Sequence, residues 1–154
     1  MSRRHARELA LQVLFQLDIG HTDPETALFH AFTRELEGDE GRDALTDKDA
    51  EFARDLVQGT WERREELDRL IVRYAKDWSV DRMAGVDRAI LRMAIYEINH
   101  QGGIPESVTA DEAVELAKLF STSESGKFVN GILGSVIRGL KQGAGGDEPT
   151  LAGH

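Results

Sequence analysis

The chain has 154 residues, enough for one helical domain to bury a core without help from metals or disulfides. It contains no cysteine, which excludes a disulfide framework, thiolate zinc sites and thiol catalysis, and which fits a reducing compartment. With 28 acidic against 19 basic residues the formal charge is −9, so any affinity for nucleic acid has to come from a local concentration of positive charge.

Charge is distributed unevenly. Residues 35–55 hold nine acids and three bases, whereas residues 1–7 carry Arg3, Arg4 and Arg7 with no acid. No segment approaches the roughly 20 consecutive apolar residues that a membrane span needs, so a soluble cytoplasmic protein with no membrane association is expected.

The first helix is predicted over 4–18, where Ala6, Leu9, Ala10, Val13, Leu14 and Leu17 form a core stripe at helical spacing. Leu11 and Phe15 lie off that stripe, on the side that carries Arg4, Arg7 and Glu8 one turn and more earlier. An aromatic beside arginines can stack on an unpaired base while the arginines hold phosphates, and it can equally pack beneath a neighbouring helix. Residues 20–24 form a break: Gly20 ends the first helix, and Pro24 stands at or near the first position of the next. Ala27, Leu28, Ala31, Phe32 and Leu36 then mark a short second helix, and 37–45 reads as an exposed acidic loop.

Thr46 followed by Asp49 resembles a capping box and opens a third helix through Phe52, Ala53, Leu56, Val57 and Thr60, with Gly59 as a bend. Leu67, Leu70, Ile71, Tyr74, Ala75 and Trp78 continue an apolar stripe into a fourth helix. A turn with a brief helical piece at 81–84 follows. The segment 86–98 is apolar around most of its circumference, with Val86, Ile90, Met93 and Ala94 in one stripe and Leu91, Ala94, Ile95 and Ile98 in the next. Such a helix is buried on several sides. Asp87, Arg88, Arg92 and Asn99 leave a polar seam, and Asp87 sits where a carboxylate complements the helix dipole.

Gly102, Gly103 and Pro105 stop this helix. A further helix is predicted over 107–120, with Ala113, Leu116, Ala117 and Phe120 on one side. Ser121 with Glu124 can cap a last helix whose stripe is Val129, Ile132, Leu133, Val136, Ile137 and Leu140. Lys127 and Phe128 sit beside that stripe, and Phe128 alone reads as an aromatic packed at the helix start. Residues 143–154 read as a disordered tail after a single domain over 1–142. The fold class expected is all-α: about seven helices in two packed helical subdomains around the central buried helix 86–98.

Chemistry is weakly signalled. Residues 121–128 imitate a phosphate loop through adjacent Gly126 and Lys127, but Ser121 replaces its first glycine, Phe128 its hydroxyl residue, and no strand precedes it. The five histidines are scattered without metal-ligand spacing, and the carboxylates lie on polar faces. No enzyme, cofactor or metal site is indicated.

Several segments together resemble the NusB family of bacterial transcription antitermination factors. They are Arg-Arg-His-Ala-Arg-Glu-Leu-Ala-Leu-Gln-Val-Leu-Phe at 3–15, residues 52–59 and 86–98, Asp-Glu-Ala-Val-Glu-Leu-Ala-Lys within 104–120, and Lys-Phe-Val-Asn-Gly-Ile-Leu at 127–133. The resemblance runs from about 3 to 141. It implies an all-α fold, no catalysis, and binding of the single-stranded boxA element of ribosomal RNA transcripts together with the ribosomal protein NusE, within the antitermination complex on RNA polymerase. It carries RNA contact over to Arg3, Arg4, Arg7, Phe15, Glu124, Ser125, Lys127, Phe128 and Asn130, and partner contact to Asp87 and Arg88. With the resemblance in hand, Phe15 and Phe128 favour base stacking or site support over plain core.

His5 stands where many relatives carry another basic residue, which makes weaker or pH-dependent RNA affinity an expectation. A homodimer is compatible with the resemblance. Two other readings stay open: a helical protein-interaction module, and a stand-alone relative of the NusB-like domain of ribosomal RNA cytosine methyltransferases. The sequence has neither a glycine-rich methyl-donor motif nor a cysteine nucleophile for the latter.

Overall fold

The computed structural model describes residues 3–20, 22–37, 46–75, 83–100 and 102–144. Among these, every regular element is helical: α1 (Arg3–Ile19), α2 (Pro24–Glu37), α3 (Asp47–Glu62), α4 (Arg64–Ala75), α5 (Gly85–His100), α6 (Glu106–Phe120) and α7 (Ser123–Ala144). The chain divides into two compact units, Met1–Glu62 and Arg63–His154. The acidic loop from residue 38, Trp78, most of the predicted turn at 79–85 and the tail from residue 145 lie outside the described residues. α7 itself runs two residues into the stretch expected to be aperiodic.

In the first unit α1 packs on α2 and α3. Its predicted stripe is buried throughout, and Leu11, expected off the stripe, is buried with it. α2 starts at Pro24, whose fixed φ suits a first helical position. Asp23 caps it, accepting the Thr26 backbone N–H at 2.8 Å and the Thr26 hydroxyl at 3.0 Å. These two bonds, the backbone one foremost, hold the Asp23 carboxyl below the usual value of 3.8. Thr46 caps α3 as expected: its hydroxyl accepts the Asp49 N–H at 3.1 Å and donates to the Asp49 carboxylate at 3.0 Å.

Gly59 does not bend the chain. α3 continues through it to Glu62, and the break falls at Arg63. A helical glycine costs about 1 kcal/mol, and the buried row Phe52, Leu56 and Val57 on the same helix outweighs that.

In the second unit α5 is the central helix, packed against α4, α6 and α7. Residues Ala89 to Tyr96 are all buried, although Val86 and Ile98 at the two ends are only half-buried. Here the expected solvated seam needs correction. Arg92 is buried and donates from Nε and a terminal nitrogen to the two carboxylate oxygens of Asp68 on α4, each at 2.7 Å. Asp87 is buried too, and so is Glu97, which accepts the Thr109 hydroxyl of α6 at 2.6 Å. The polar groups of α5 therefore tie it to its neighbours, because a helix covered on three sides has nowhere else to place them.

Gly103 stands at φ +88°, in the left-handed region that lets the chain reverse between α5 and α6. The helical piece expected at 81–84 is not seen at its described end, since Met83 and Ala84 precede the first turn of α5. The cap of α7 is shifted by one residue from the expected Ser121. The Thr122 hydroxyl accepts the Ser125 backbone N–H at 3.0 Å, which makes Thr122 the capping residue and Ser125, not Glu124, its partner.

Candidate nucleic-acid interface

The amino end of α1 brings its arginines onto α3. Phe52 is buried, and the Arg3 guanidinium carbon lies 4.2 Å from its ring centroid, with that of Arg7 5.3 Å away. One aromatic thus serves two cations through its negative face. Arg3 stays exposed and reaches to 4.0 Å from the Asp49 carboxylate. Arg4 is exposed. Arg7, expected on the RNA surface, is 4% exposed. One helical turn beyond Arg3, it falls on the face that α1 turns toward α3, where the Phe52 ring takes the place of solvent. It supports the surface from below.

His5 is held at 2.7 Å from Glu35 of α2, a contact that competes with any phosphate for the imidazole. Phe15 is half-buried on the same side of α1 as Arg4, about 16 Å further along the axis.

The second cluster lies at the start of α7. Glu124, Lys127 and Asn130 are exposed, Phe128 is half-buried, and Ser125 is buried. The Lys127 ammonium and the Glu124 carboxylate stand 3.8 Å apart with both side chains about four-fifths exposed, so their attraction is screened and readily exchanged for another anion. Ser125 donates its hydroxyl to the buried Asp87 carboxylate at 2.9 Å. Asp87 was expected as part of an exposed partner edge, and the structure instead turns it inward, toward α7. Arg88, next to it, is half-buried.

Sequence reasoning treated Phe52 as plain core and missed Asp49 and Glu35 as neighbours of the basic end. The spacing of Asp49 and Phe52, one turn apart on one helix, was the available signal. Among the described residues no group of three or more histidines and carboxylates is placed to hold a metal ion, and no helix is long and apolar enough to cross a membrane.

The NusB family model matches residues 4–138. The chain is 65% identical over 148 residues to the transcription antitermination protein NusB of Symbiobacterium thermophilum, covering 96% of this chain and 97% of that protein. It is 45% identical over 142 residues to NusB of Bacillus pumilus, at 92% and 99% coverage. Among solved structures, NusB of T. maritima superposes with a TM-score of 0.75 at 39% identity, covering 90% of this chain and 92% of that one. A NusB in a crystal of the antitermination factors NusB and NusE with double-stranded RNA superposes with a TM-score of 0.74 at 27% identity, at 89% and 96% coverage. With a family match along most of its length and relatives this similar end to end, the chain belongs to the NusB family.

Proposed function

We propose that this chain is a non-catalytic, RNA-binding transcription antitermination factor that acts together with NusE in the cytoplasm, within a complex on RNA polymerase. The observation that carries the reading is its likeness, over nine-tenths of its length, to a NusB solved with NusE and RNA. Support from this chain's own residues comes from exposed Arg3 and Arg4 on the helix that also carries half-buried Phe15, and from exposed Lys127 next to half-buried Phe128, in a protein of net charge −9. The ligand we favour is a single strand of boxA type. Arg3, Arg4 and Lys127 meet phosphates, the rings of Phe15 and Phe128 offer faces for stacking, and Asn130 and Glu124 reach base edges. Arg7 holds Phe52 and the first turns of α1 in place. On the partner side Arg88 is the residue we assign to NusE contact.

The test is a titration with a boxA-type strand, a scrambled strand and a duplex, each with and without NusE. Preference for the boxA-type strand, strengthened by NusE, is expected; equal binding to all three reduces the function to nonspecific charge.

A further inference from the structure

The hydrogen bonds around Ser125 leave its hydroxyl no capacity for a ligand. The Ser125 oxygen carries one proton, and that proton is committed to Asp87 at 2.9 Å. Its acceptor side is used as well: the Thr122 hydroxyl donates to it at 3.1 Å, and with the Ser125 proton spent, the Ser121 hydroxyl at 2.9 Å must be a donor too. Three hydroxyls from the α6–α7 junction are therefore polarised in one direction, toward a single carboxylate on α5. Ser125 and Asp87 are 9% and 7% exposed, so water does not easily replace either partner.

The carboxylate is placed to hold two helix starts at once. Asp87 lies in the first turn of α5 and bonds to a side chain in the first turn of α7, and a negative charge is favoured at both ends by the exposed backbone N–H groups there. Its other oxygen, Oδ1, is buried and has no hydrogen-bond partner among the described residues, so the Ser125 bond is the polar contact that fixes its orientation. The residues that follow Ser125 are Lys127, Phe128 and Asn130, the α7 part of the proposed RNA surface. Gly126 between them sits close against α6, where an added Cβ would lie 3.1 Å from the Lys118 side chain.

We propose that Asp87, acting through Ser125, is a positioning residue for the RNA-facing first turns of α7, so that the start of α5 and RNA recognition are coupled inside the second unit. The proposal rests on the RNA-binding reading above. It reassigns both residues: Ser125 does not touch RNA, and Asp87 does not present its carboxylate to a protein partner. Loss of either group releases the Ser121 and Thr122 protons to point elsewhere and loosens the cap, which displaces Lys127 and Phe128 without altering their charge or stacking capacity.

The experiment uses the full chain as wild type, Ser125→Ala, Asp87→Ala and the double variant, with boxA-type and scrambled strands and with backbone amide exchange at residues 124–128. Both single variants are expected to weaken boxA-type binding by about 5-fold, with scrambled-strand binding within about 2-fold and the salt dependence unchanged, and the double variant to match Asp87→Ala instead of multiplying the two effects. Amide exchange at Ser125 and Gly126 should accelerate in all three. Ser125→Ala strands the buried Asp87 carboxylate, so the double variant, which removes both partners, reports if either single variant folds poorly, and a folded double variant with wild-type boxA affinity also overturns the proposal. Folded single variants with wild-type boxA affinity, or effects that multiply, overturn the proposal. If wild type shows no preference between strands, the functional reading fails separately, and unchanged amide exchange in Asp87→Ala then overturns the coupling on its own.

Discussion

Replacing Arg4 and Arg7 separately by alanine tests a proposed phosphate contact against a structural cation in the same helical turn. On a single strand each neutralised phosphate contributes about 0.7 to the slope of log affinity against log salt. Arg3, Arg4 and Lys127 are exposed and Arg7 is 4% exposed, so three contacts and a slope of roughly −2 are expected. Arg4→Ala should bring the slope to about −1.4 and leave thermal stability unchanged. Arg7→Ala should leave the slope near −2 and cost about 1–2 kcal/mol of stability, from the lost contact with Phe52 and the buried aliphatic stem. For a chain of this size that is a fall of about 2–8 °C in Tm. Fluorescence anisotropy with a labelled boxA-type strand at a series of salt concentrations gives the slope, and calorimetry the Tm. A flattened slope in Arg7→Ala with an unchanged Tm would refute the placement of Arg7 beneath the surface.

Three further outcomes are expected. Asp68→Ala removes the bidentate partner of buried Arg92, and because Asp68 is about one-quarter exposed the loss is set below that of a fully buried pair, at about 2–3 kcal/mol by denaturant titration. Replacing both by Leu and Met should recover most of it, and no recovery would mean that the pair is not what Arg92 is there to serve. Gly139→Ala places a Cβ onto the Tyr74 hydroxyl and ring, so it should cost about 1–3 kcal/mol at the α4–α7 packing, largely relieved in a Tyr74→Leu background. Asp23→Ala should destabilise the start of α2 at neutral pH. Because the native carboxyl lies below 3.8, its stabilisation is present above that value and disappears as pH falls through the lower native one, so pH melts of wild type and variant should converge only in strong acid.

What could be read from the sequence follows the kind of force involved. Apolar periodicity identified α1, α3, α5 and α7 and most of their buried residues, because a stripe at helical spacing has one stable solution, while Val86, Ile98, Ile137 and Leu140 at the ends of the α5 and α7 stripes are half-buried. Helix starts governed by local hydrogen bonds were legible at Pro24 and Thr46, and were off by one at Thr122, where Ser121 and Thr122 offer the same chemistry. Side chains satisfied at long range were not legible. Nothing local distinguishes Arg92, 24 residues from Asp68, from a solvated arginine, or Asp87, 38 residues from Ser125, from a surface acid. The site suffered most from this limit. Arg3, Arg4 and Arg7 look equivalent in the sequence, and only the packing of α1 on α3 makes the last of them structural.

The ring of Phe52 under Arg3 and Arg7 bears on when ordering of the basic end takes place. α1 is helical from Arg3, and the guanidinium groups of Arg3 and Arg7 rest on the Phe52 ring of α3. The conformational entropy of the buried Arg7 side chain is thus surrendered during folding, and the helix that carries Arg3 and Arg4 is formed with it. Association should proceed without a gain in helicity and with only a small change in heat capacity, closer to docking on a finished surface than to folding upon binding.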